Sequence, residues 1–217
     1  MSEQHSGNSV PKRSRNLLML ISANLARGRY NIVSQLLEDA RRSRVSARQV
    51  YEIMLQSYLF LGYPKAIEGL KLFREHYPRF KSPKIEPIDG NVIKLWQKRG
   101  EELCRTIYDS NYEPLRKRIH GLSPDLDEWI VWEAYGKVLS RAGVPSIVRE
   151  FCACSALLIT GDIVQLHSHM RGAIYSGASV GMLQEMIDLL EGTAKAEQCR
   201  KAVGLLDIIA QKVGKDA

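Results

Sequence analysis

Residues 16–58 lie over residues 149–191 of this 217-residue chain at a constant shift of 133. At that shift Gly28 meets Gly161, Ala40 meets Ala173, Ser46 meets Ser179 and Glu52 meets Glu185. Each copy reads as a helix, a glycine break, a second helix and a Ser-capped third, the pattern a duplicated unit leaves behind. A stripe at Leu17, Leu18, Ile21 and Leu25 opens the first copy, and Ile163, Leu166, Met170 and Ala173 form one in the second. Spacings of three and four put such residues on one face of a helix. No stretch alternates apolar and polar residues at period two, so strands are not expected. The expected fold is all-α, two degenerate multi-helix repeats.

The first copy runs into Tyr58-Leu-Phe-Leu-Gly62-Tyr-Pro64, where Gly and Pro end a helix for backbone reasons. Three prolines and a glycine between His76 and Gly90 indicate an extended connector. Helices are expected again over roughly 92–108, 113–120 and 126–142, with a last one near 196–213. Trp129, Trp132, Glu133 and Tyr135 sit in the third of these, and aromatic residues at that spacing are expected to enter the core. The expected division is an N-terminal repeat at 1–75, a linker at 76–90 and a C-terminal repeat at 91–217.

Chemistry concentrates in the second copy. Thr160-Gly161-Asp162 breaks the helical pattern, and Asp162 is placed to cap the helix that follows. His169 borders the apolar stripe of that helix and is expected to face inward. His167, two residues away and about 200° around the helix, faces outward. Glu150 opens the preceding helix. Under the shift, Leu17 and Leu36 stand where Glu150 and His169 do, so the first copy lacks both and is expected to be silent. An inward histidine also has an ordinary reading as a hydrogen-bonded core residue.

The segment Gly136-Lys-Val138-Leu-Ser140-Arg141, then Arg149-Glu150, then Leu166-His-Ser-His169 with Ala173 and Gly177, resembles the carboxymuconolactone decarboxylase / alkylhydroperoxidase D-like family. The resemblance covers about half the chain and implies that family's helical repeat and a homo-oligomer. It also implies one of two chemistries. The peroxidase branch carries Cys-x-x-Cys before the histidine; here those positions are Asp162 and Gln165, which form no thiolate. Cys152 and Cys154 lie nearby at i, i+2, about 200° apart on a helix, a spacing unsuited to a local disulfide. The decarboxylase branch needs no thiol. There Glu150 and His169 would be the catalytic acid–base pair, each shifting the other's pKa. Arg141 and Arg149 would hold substrate carboxylates in their planar forks, with Arg171 a weaker candidate and Tyr135 lining the pocket. The expected function is therefore a cofactor-free acid–base enzyme, a lyase acting on a small carboxylated lactone or related acid. An alkylhydroperoxidase and a non-catalytic helical scaffold are the alternatives.

Charge and cysteine usage narrow the partners. The net charge of +7 and pI of 9.3 come from bases scattered among acids, without the interleaved aromatics of a nucleic-acid platform. The charge suits steering of a small anionic substrate. No run of about 20 apolar residues is present to span a bilayer. The apolar stretch after Lys12-Arg-Ser-Arg15 continues into amphipathic helix rather than a cleavage site. Four cysteines form neither a metal spacing nor a disulfide framework, so no metal is expected at them and the expected compartment is a reducing cytoplasm; the resemblance implies no cofactor.

Overall fold

The computed structural model describes residues 10–85 and 87–213, and every regular element among them is helical. Four helices, α1 (Lys12–Arg27), α2 (Tyr30–Arg42), α3 (Ala47–Gln56) and α4 (Tyr58–His76), fill the first part. After a connector come α5 (Gly90–Tyr108), α6 (Tyr112–His120), α7 (Pro124–Trp129) and a π-helical segment, Ile130–Leu139. Then follow α8 (Ser146–Thr160), α9 (Ile163–Tyr175), α10 (Val180–Leu190) and α11 (Ala196–Val213).

The helices fall into two compact units. One takes in the described residues up to Pro78 and those from Gly143 onward; the other spans Arg79–Ala142. The second unit is therefore inserted between the two halves of the first, and takes up residues 91–142 of the stretch expected to continue as one C-terminal repeat.

In the first unit, α1 and α8 form the central pair. Val148 to Ile159 of α8 are all buried, as are Leu18, Met19 and Ile21 to Ala26 of α1. Such a helix holds its place by being surrounded. Each central helix ends at a glycine in the left-handed region, Gly28 (φ 74°) and Gly161 (φ 85°), where only glycine is free of Cβ strain. The element bounds follow the shift of 133: α2 starts at Tyr30 and ends at Arg42, α9 at Ile163 and Tyr175. Gly62, with φ 74° and ψ 167°, interrupts α4, and Pro64 sits in the first turn after the break.

In the second unit α5 lies against the π-helical segment at backbone distance. A Cβ built on Gly100 would stand 1.9 Å from the Val131 carbonyl oxygen, and one on Gly136 would stand 1.9 Å from that of Trp96. Trp96 and Trp132 stack nearby, with centroids 6.4 Å apart. Here the expected single helix over 126–142 is a short α-helix running into the π segment that packs on α5. The aromatic residues divide: Tyr135 is buried, whereas Trp129 is 52% exposed.

Candidate functional site

The α8–α9 hairpin positions the candidate pair. The turn at Gly161 reverses the chain, so a residue one turn into α8 and one midway along α9 meet across the hairpin. These are Glu150 and His169. Glu150 Oε2 lies 2.8 Å from His169 Nδ1, and both residues are buried, at 2% and 8% exposure. Phe60, at the start of α4, meets the imidazole at 5.1 Å and 83°, an edge-on contact that fixes the ring plane.

Arg149 points elsewhere. Its guanidinium reaches across to α3, with Nη1 donating to Gln56 Oε1 at 3.0 Å and Nη2 to Glu52 Oε2 at 3.2 Å. Gln56 Nε2 donates back to the Arg149 carbonyl oxygen at 3.1 Å. Glu52, fully buried, is also paired with Arg48 at 2.8 Å. A buried carboxylate demands such partners, because transfer of an ion from water into the interior costs several kcal/mol on its own. The counterpart contact runs in the opposite direction. Arg15 and Lys12 of α1 pair with Glu185 of α10 at 3.8 and 2.8 Å. Glu52 and Glu185 are equivalent positions under the shift, and each is held by the first helix of the other half.

Tyr135 and Arg141 belong to the second unit, where the Tyr135 hydroxyl bonds that of Tyr108 at 2.5 Å. Asp162 stands at the N-cap of α9 but makes no side-chain cap bond, since its carboxylate accepts from Thr160 Oγ1 at 2.5 Å instead. His167 is half-buried rather than fully outward, and desolvation lowers its pKa. Cys152 and Cys154 are free thiols in the core. Burial pushes Cys152 up to about 12 and Cys154 well above the ordinary thiol value. At neutral pH neither supplies the thiolate that peroxide chemistry requires.

Glu52, Gln56 and Phe60 are the residues that sequence reasoning missed. All three lie in the half expected to be silent. The one available signal was the pairing of Glu52 with Glu185 in the internal alignment, which marks an acid retained in both copies. Among the described residues no group of three His, Cys, Asp or Glu side chains is placed to hold a metal ion. No described helix is long and apolar enough to cross a membrane.

No protein-family model matches the chain. It is similar to Peroxisomal protein 2 of Saccharomyces cerevisiae, 23% identical over 230 aligned positions that cover 85% of this chain and 80% of that protein. It is also similar to Peroxisomal protein 2 of Schizosaccharomyces pombe, 27% identical over 130 positions, 59% of this chain and 60% of that protein. These relatives correct the family expected from the Gly136–Gly177 motifs: they are named as peroxisomal proteins, not as carboxymuconolactone decarboxylases or alkylhydroperoxidases. Short runs such as Arg-Glu and Leu-x-x-His are brief matches that arise without common descent, so they carried less family information than expected. The lyase function, its peroxidase alternative and the cytoplasmic compartment are overturned with the family, since each depended on it or on cysteine usage alone.

Proposed function

We propose that this chain acts in the peroxisome, the compartment for which its two yeast relatives are named, and that Glu150, His169 and Arg149 serve its structure there. In this reading its buried ionic residues join the two halves of one unit and do not turn over a substrate. The observation that carries it is Arg149. Its side chain is 2% exposed and is bonded to Glu52 and Gln56 from the other half. A carboxylate ligand would have to displace a buried ion pair to reach it. The matched element bounds and the reciprocal Glu52 and Glu185 contacts support descent from a duplicated four-helix unit. Fluorescent fusions at either end of the full chain test the compartment. Signal coincident with a peroxisomal marker is expected for at least one fusion, and diffuse signal from both contradicts the proposal.

Glu150 and His169 take the same structural part in this reading, as a buried pair at 2.8 Å across the α8–α9 hairpin. His169→Gln should therefore cost about 1–3 kcal/mol of stability, read as a lowered melting temperature. An unchanged melting temperature in folded His169→Gln would contradict it.

A further inference from the structure

The half that lacks Glu150 and His169 holds a different constellation. Ser34 and Glu38 are four residues apart on α2 and so share a face. His76, the last residue of α4, comes down between them. Ser34 Oγ lies 2.8 Å from His76 Nε2, and His76 Nδ1 faces Glu38 Oε2 at 3.8 Å. We propose that Ser34, His76 and Glu38 form a nucleophilic site in which Ser34 takes acyl groups from small activated esters.

The tautomer that lets Nε2 accept the serine proton carries its own proton on Nδ1, the nitrogen turned toward Glu38. The order of nucleophile, base and carboxylate is that which activates a serine, with Glu38 at 3.8 Å acting on the imidazole through its charge rather than through a hydrogen bond. Glu38 is fixed by Arg41, through bonds of 3.0 and 2.8 Å, and by Arg42 at 2.9 Å. The Arg41 hydrogen bond is the main cause holding its carboxyl down at about 2, so it stays ionised. Tyr77, the next residue along, donates to the Leu37 carbonyl oxygen at 3.4 Å and closes one side. The cluster is reachable: Ser34 is half-buried, and the His76 and Glu38 side chains are 19% and 26% exposed. The equivalent positions in the second half are His167, Arg171 and Ile209, so the arrangement is not a by-product of the repeated helix geometry.

In the first step Ser34 Oγ attacks the acyl carbon while His76 Nε2 takes the hydroxyl proton. The ester C–O bond breaks, and that proton leaves with the alcohol. In the second step water attacks the acyl-serine, His76 again takes a proton, and the carboxylic acid departs with Ser34 restored. Ser34 lies inside α2, where backbone amides are committed to the helix and cannot stabilise the oxyanion. A single oxyanion donor is typically worth about 10²–10³-fold in rate. Acylation should therefore be slow and the acyl-serine long-lived.

The test uses the full chain with a fluorophosphonate probe, followed by peptide mapping, and with p-nitrophenyl acetate as the ester. One adduct is expected, at Ser34, with about one equivalent of p-nitrophenol released per chain. Ser34→Ala should abolish both. His76→Gln should slow labelling by about 10²–10⁴-fold, the usual contribution of a positioned general base. Ser34→Ala exchanges one small half-buried side chain and is expected to melt within a few degrees of the parent, so its result stands even if His76→Gln does not fold. No adduct, an adduct at another serine, or undiminished labelling in folded Ser34→Ala would overturn the proposal.

Discussion

Glu52 carries a charge with no exposed surface, and its two arginines arrive by different routes, Arg48 from its own helix and Arg149 from α8. Removing Arg149 leaves half of that compensation in place. Arg149→Met should therefore cost about 3 kcal/mol, the lower end of the range for breaking a buried pair, with the loss read as a shift in the urea midpoint. Glu52→Gln in the same background should recover part of it, because the uncompensated charge is then gone. Cys152 and Cys154 give a second prediction at this scale. With burial pushing both thiols up, the folded protein should show no fast reaction at either with a disulfide reagent, and both should react once the chain is denatured. Reaction of either thiol in the folded state at the rate of free cysteine would contradict the burial described.

Between elements, the tightest contact is the Gly100 and Gly136 crossing of α5 with the π-helical segment. A methyl group at Gly136 has no room beside the Trp96 carbonyl, and both partners are backbone. Gly136→Ala should destabilise the second unit by at least about 1–3 kcal/mol, as overpacking does, seen as an earlier loss of Trp96 and Trp132 fluorescence. Asp127 ties α7 to α6 through Arg116, whose hydrogen bonds hold the carboxyl below its ordinary value of 3.8. A carboxyl depressed in the folded state adds stability above its unfolded pKa and loses it as pH falls through the folded one. The melting temperature of the parent should thus decline more steeply below about pH 4 than that of Asp127→Asn, measured side by side. Much at this scale was legible beforehand. The last helix falls at 196–213 and the break at Gly161, because glycine and apolar spacing are local signals. The π segment was not, since nothing in a periodic reading distinguishes a wider turn from an ordinary one. Nor were the partners of Arg149: an acid 97 residues away leaves no mark on the spacing around it.

For the whole molecule, the halves of the first unit are separated in sequence by the second, and the central helix α1 of the first half packs on α8 of the other. A chain ending at residue 142 should therefore expose the apolar faces of α1 and bind a hydrophobic dye strongly, while the inserted unit keeps its tryptophan signal. Dye binding equal to that of the full chain would show instead that the first four helices close on themselves. The reciprocal ion pairs have a consequence in time. Glu52 leaves the ribosome 97 residues before Arg149. At about 5–20 residues per second, that is roughly 5–20 seconds of synthesis. Through that interval Arg149 is missing, and Arg48, one turn along the same helix, is already in place beside the acid. The inserted unit, whose internal contacts span at most 64 residues of sequence, is fully synthesised before the second central helix emerges. Helices α1 to α4 are thus made well before their final surroundings exist, and a chaperone that engages them would have to let go only after α8 and α9 have been delivered.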